Sequence, residues 1–292
     1  MRPGSSVAII TPMIPETGAV DIEGLRHLLR YHVESRTDNL CILGTTGEAS
    51  VLSMPERELV LKTAVDEVKG KMPILVGTGA INPTSIKAMT QQAIDLGCDA
   101  SLVVTPYYVK PPQRCLIRHM TDAADWGLPV VMYNVPGRTG VNFLDESIAI
   151  ASEHAGIVGV KDATGDLSRV DALRKLVSDD FLLYSGDDGS TADFIAKGGN
   201  GSISVTANVA AAAMRDMIAA ALDKRFDEAN EINDRLVGLH NKLFVECNPI
   251  PVKWAAKRLG LINSAFCRPP LDEMDPIFES QLEDALKQAG LL

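Results

Sequence analysis

The sequence has no excess of positive charge, no paired-cysteine pattern and no apolar run of membrane length, and each absence removes a class of function. Lysine and arginine total 28 against 38 acidic residues, a formal net charge of −10. Binding to a phosphate backbone rests on clustered cations, so no nucleic-acid partner is expected. One well-placed arginine could still hold an anionic substrate. The cysteines Cys41, Cys98, Cys115, Cys247 and Cys267 are odd in number and include no CxxC pair. No disulfide framework is expected from them, and a reducing cytoplasm is the expected setting. The Ala-rich stretch after Asn208 is broken by Arg215 and Asp216, which leaves it short of a bilayer span. The opening residues, MRPGSSVAIITP, lack the apolar core of a signal peptide. The expectation is a chain with no membrane partner. Sequence repeats and low-complexity tracts are missing as well.

What is present is ordinary for a globular protein. The 292 residues are 46% hydrophobic and 23% charged, with a mean hydropathy of +0.07, enough to bury a full core. Apolar runs of strand length recur at 7–12, 39–44, 73–79, 100–107, 129–136, 157–163, 181–187 and 201–207. Most are continuously apolar rather than alternating, the pattern of parallel strands covered on both faces. Helical segments separate them. Ser53 and Glu56 form a capping box before a helix at about 54–69, and Asn82-Pro83 open another that Gly97 closes. Eight evenly sized units predict a (β/α)₈ TIM barrel over 1–224 and disfavour an open doubly wound sheet. After Lys224 the pattern changes. Phe226, Ala229, Ile232, Leu236, Leu239 and Leu243 recur at helical spacing, and Pro249, Pro251, Pro269 and Pro270 punctuate the shorter helices beyond. Residues 225–292 are predicted as a C-terminal helical extension.

In such a barrel the active site lies at the C-terminal ends of the strands. Hydroxyl groups dominate these positions, and there is one lysine. Lys161 comes after Ile157, Val158, Gly159 and Val160 inside a run that should be buried. Burial disfavours a charged amine, and a neutral amine is the form that attacks a ketone. The plainer alternative is a strand-end lysine that snorkels to water. Tyr133 ends the neighbouring strand, where its hydroxyl could relay protons to and from a Schiff base through Thr45, Thr46 and Tyr108. Arg138, in the loop above that strand, could clamp a carboxylate, or it could be a solvated loop residue. Glu48, Asp162, Asp187 and Asp188 near the upper face could hold magnesium. All five histidines fall in segments predicted to be helical and away from the strand tops, so no zinc site is expected. The Gly198–Gly201 run precedes a strand and reads as a lower-face turn rather than a phosphate loop.

Taken in order, GTTGE at 44–48, TPYY at 105–108, YNVPGRTG at 133–140, GVKDATG at 159–165 and SVTAN at 204–208 resemble the dihydrodipicolinate synthase family over essentially the whole chain. The resemblance implies condensation of pyruvate with L-aspartate 4-semialdehyde, with pyruvate held on Lys161 as a Schiff base and no other cofactor or metal. It implies a proton relay of Tyr133, Thr45 and Tyr108, the last reaching in from a neighbouring subunit. Thr46 would contact the pyruvate carboxylate and Arg138 the semialdehyde carboxylate. Gly186 and Ile203 would contribute backbone groups, and the assembly would be a homotetramer of tight dimers. Sister aldolases acting on sugar acids share the lysine and tyrosine but generally lack the arginine of YNVPGRTG. A catalytically silent barrel that binds a ligand is the alternative from another class. At the positions where many relatives bind inhibitory lysine, this chain keeps Tyr107 but carries Ala49, Met54, Arg57, Ile81 and Ser85. Ile81 and Ser85 replace an amide and a carboxylate, so weak or absent lysine feedback is expected.

Overall fold

Eight short parallel strands close on themselves in chain order: β1 (Gly4–Ala8), β2 (Asn39–Ile42), β3 (Ile74–Gly77), β4 (Ala100–Val104), β5 (Val130–Asn134), β6 (Ile157–Asp162), β7 (Leu182–Ser185) and β8 (Gly201–Ser204). This is a computed structural model, and it describes residues 1–292. β1 pairs with both β2 and β8, Gly4 facing Gly201 and Val7 facing Ser204, which seals the ring. The predicted (β/α)₈ barrel is the observed fold.

Strand alternation divides the apolar side chains between two compartments. Cys41, Leu75, Leu102, Val131, Tyr184 and Ile203 fill the barrel interior. Val103, Val130, Met132, Val160 and Leu183 point outward, against helix residues such as Leu116, Met120 and Ile148. Both faces are therefore covered, which explains runs without alternation.

One strand boundary is corrected. The predicted strand at 7–12 is observed at Gly4–Ala8. Ser5 and Ser6 sit fully buried in the ladder, and Asn39 Nδ2 donates to Ser6 Oγ at 3.0 Å. Polar residues at those places hid the strand from an apolar count. Past Ala8 the chain leaves the ladder, because Ile10 N donates to the Asn208 side chain (2.9 Å) rather than to a strand. The predicted helix starts are present: Ser53 and Glu56 make a reciprocal capping box on Met54–Val68, and Asn82 caps Pro83–Asp95.

After the barrel come helices Phe226–Lys242, Ile250–Arg258 and Glu279–Gln288. Ala229, Ile232, Leu236, Leu239 and Leu243 of the predicted stripe are buried. They join Leu282, Leu286 and the barrel-helix residues Met214, Met217 and Ile218 in one apolar cluster. Phe226 departs from the stripe: at the first turn of its helix it remains partly exposed. No helix is long and apolar enough to cross a membrane.

Candidate active site

The strand ends open into a cavity of about 190 Å³ whose wall includes Thr45, Thr46, Tyr133, Arg138, Lys161 and Gly186. Six of the eight residues expected to form the site thus meet in one place. Lys161 is brought there by register. It lies opposite Tyr133 on β5 and Tyr184 on β7, and strand alternation turns all three into the barrel. The Tyr184 hydroxyl is committed to the lower end, where it donates to Arg2 O at 2.8 Å. Tyr133 is the one at the cavity. Lys161 is only 6% exposed, its Nζ lies 4.5 Å from the centre of the Tyr133 ring, and no carboxylate pairs with it. The amine is free to bond to a ligand. Gly186 supplies the room: a Cβ there would stand 2.9 Å from Lys161 Cε and 2.6 Å from Ala163 Cβ.

The loop carrying Thr45 and Thr46 is unusual in its backbone. Leu43 before it and Glu48 after it adopt left-handed φ values of 57° and 53°, costly for residues with a side chain. Close packing holds them there. The Leu43 carbonyl presses on Gly77, where a Cβ would lie 1.9 Å from the oxygen, and Thr11 Oγ1 donates to Gly47 O at 2.8 Å. Thr46 Oγ1 accepts from Asn248 Nδ2 at 2.9 Å. Arg138 stands in the short helix Pro136–Thr139 directly after β5. It is exposed at the mouth, with Nη2 3.4 Å from Asn248 O.

Two expected site residues are not on the cavity wall. Tyr108 projects from the loop after β4 with 87% exposure and φ of 68°, too far out to act in its own chain's cavity. Ile203 is buried within β8, in the same interior cluster as Tyr133, so its side chain fills the interior and only its backbone is left for a site. Conversely, Asn248, Phe244, Val135 and Val205 line the cavity without having been singled out. Asn248 and Phe244 come from the C-terminal extension, and nothing in their spacing signals that this segment returns to the barrel mouth.

The upper-face carboxylates do not converge. Asp162 points outward to Arg169 (Nε, 2.9 Å) and Asn134 (3.2 Å). Asp188 accepts from Val205 N and Thr206 N at 3.0 and 2.8 Å. Glu48 is bound by Lys253. Asp187 alone reaches the cavity, and its Oδ2 accepts from Ser190. The histidine expectation needs two corrections. His240 lies at a strand top, its Nδ1 2.9 Å from Thr206 Oγ1 just past β8, because the helix Phe226–Lys242 runs back toward the mouth. Burial lowers its pKa. His154 sits just beyond the helix Asp145–Ser152 rather than in it.

The chain is similar to known proteins along essentially its full length. The sequence profile described as the dihydrodipicolinate synthetase family matches residues 1–289. A 4-hydroxy-tetrahydrodipicolinate synthase of Alcanivorax borkumensis is 46% identical over 290 residues, 99% of this chain and 98% of that protein. One from Escherichia coli is 46% identical over 293 residues and covers 100% of both. Among solved structures, the chloride-inhibited dihydrodipicolinate synthase of Acinetobacter baumannii complexed with pyruvate superposes with a TM-score of 0.97 at 43% identity, covering 100% of each chain.

Proposed function

The chain belongs to the dihydrodipicolinate synthetase family, and on that premise we propose that Lys161 carries pyruvate as a Schiff base for condensation with L-aspartate 4-semialdehyde. The Lys161 amine adds to the keto carbon of pyruvate, and loss of water gives the imine. Loss of a methyl proton then gives the enamine, whose terminal carbon attacks the aldehyde carbon as the aldehyde oxygen takes up a proton. The imine itself is the electron sink, so the chemistry calls for no further cofactor or metal.

Tyr133 and Thr45 move the protons, and Tyr108 completes the relay from a neighbouring subunit. Thr46 receives the pyruvate carboxylate and Arg138 that of the semialdehyde, with backbone groups of Gly186 and Ile203 beside them. The exposed Tyr107-Tyr108-Val109 edge supports an assembled enzyme, which this reading takes as a homotetramer. Five free cysteines favour a reducing cytoplasm.

The observation that carries the reading is an enclosed, unpaired lysine facing Tyr133 beneath an arginine at the mouth. Arg138 favours the semialdehyde over sugar-acid aldehydes. Offering each aldehyde with pyruvate tests this: the semialdehyde should give the higher kcat/KM, and faster turnover of a sugar-acid aldehyde would overturn the assignment. Lysine feedback should be weak, given Ile81 and Ser85 at the corresponding positions; submillimolar inhibition by L-lysine would contradict that.

A further inference from the structure

The loop after β2 is held from more than 200 residues away. Glu48 closes that loop in a left-handed conformation, and its carboxylate is buried. Lys253 Nζ donates to Glu48 Oε1 at 2.6 Å, with both side chains essentially inaccessible. Arg268 N donates to the other oxygen at 2.9 Å. Five residues before Lys253, Asn248 donates to Thr46 Oγ1. One segment of the extension thus grips both the carboxylate that ends the loop and a hydroxyl on the cavity wall. Arg268 adds a tie behind it, donating to Gly18 O and Val51 O and pairing with Glu56.

A desolvated ion pair is seldom a net gain in stability over apolar side chains of similar volume; its clearest use is to fix one geometry. Here the geometry fixed is that of Thr45 and Thr46, whose loop also contains the left-handed Leu43. We propose that Lys253, paired with Glu48, and Asn248 are positioning residues that hold the Thr45–Thr46 loop in its pyruvate-binding conformation, so that the C-terminal extension is part of the catalytic apparatus. The proposal rests on the assignment of pyruvate to Lys161. Neither Lys253 nor Glu48 needs to touch substrate. Their effect passes through the backbone of Gly47 and the hydroxyl of Thr46.

The test compares the double variant Glu48→Gln/Lys253→Met, which removes both charges together, with Asn248→Leu, which leaves the ion pair intact. Arg258→Leu, on the same helix as Lys253, is the control, since it disturbs only a solvent-accessible pair with Glu283 of the helix Glu279–Gln288. Melting temperature, KM for pyruvate, kcat and borohydride trapping of pyruvate are measured for each. The expected result is a pyruvate KM raised about tenfold or more, the scale of one lost charge-assisted hydrogen bond, in both the double variant and Asn248→Leu. Melting should stay near that of the parent, and the control should be unchanged in KM. A double variant that folds and keeps the parent KM and kcat overturns the proposal. Should the double variant fail to fold, a parent-like KM in Asn248→Leu overturns it instead. Absence of any pyruvate adduct in the parent protein is a different failure, that of the functional reading itself.

Discussion

Two lysines are buried in this protein, one in the barrel mouth and one in the layer packed against it, and they are used in opposite ways. Lys253 has no exposure and is bound to Glu48 at 2.6 Å. Its charge is neutralised, its donor is occupied, and its amine is unavailable to a ligand. Lys161 is nearly as enclosed but faces only the ring of Tyr133 and an open cavity. Burial alone therefore does not mark a reactive amine. What distinguishes the two is whether a carboxylate has claimed the nitrogen, and whether space has been left in front of it. Gly186 leaves that space at Lys161. The same division holds for the carboxylates of the upper face, most of which are engaged by arginine, lysine or backbone donors.

The sharpest way to break this comparison is to remove each lysine in turn. Lys161→Met should lower turnover by about 10³-fold or more, as loss of a nucleophile does, while the melting temperature stays close to that of the parent. Lys253→Met alone should act mainly on stability. It leaves the Glu48 carboxylate buried without its partner, a loss of about 3–5 kcal/mol that urea denaturation would measure. Equal stability losses in the two variants would erase the distinction.

A smaller effect concerns the titratable groups that belong to the scaffold rather than the mouth. His32 is fully buried against Thr37 (Nδ1 to Oγ1, 2.9 Å), and desolvation lowers its pKa from 6.5 to about 3. The unfolded chain therefore takes up a proton on this residue at pH values where the folded chain does not. That contribution to stability is complete above pH 6.5 and shrinks as the pH falls toward 3. Between pH 7 and pH 5 the parent should lose about 2 kcal/mol more than His32→Asn, at about 1.4 kcal/mol per pH unit. Parallel pH profiles of the two proteins would show that His32 does not carry the effect.

Much of this was legible in the sequence because the barrel repeats one rule eight times. Continuous apolar runs marked seven strands well, and Lys161 stood out as the single cation at a strand top. β1 was displaced because its buried residues are serines, whose burial depends on Asn39 and on the closing of the ring. Asn248 and Lys253 were invisible as site elements for a related reason. Their role depends on how the extension returns to the mouth, a long-range packing outcome that local periodicity does not encode. Lys253 did leave a trace, as one lysine between Val252 and Trp254 in an otherwise apolar turn. Tyr108 was a relay candidate from its strand-top position, but its reach into a neighbouring subunit came from resemblance alone, since its side chain is exposed in the single chain.

The most direct test of the central claim is to incubate the protein with pyruvate, reduce with borohydride and locate the added mass by peptide analysis. A single reduced pyruvate adduct on Lys161, with Lys253 unmodified, is the predicted result. A protein that takes up no pyruvate, or that carries it on any other lysine, would contradict the account.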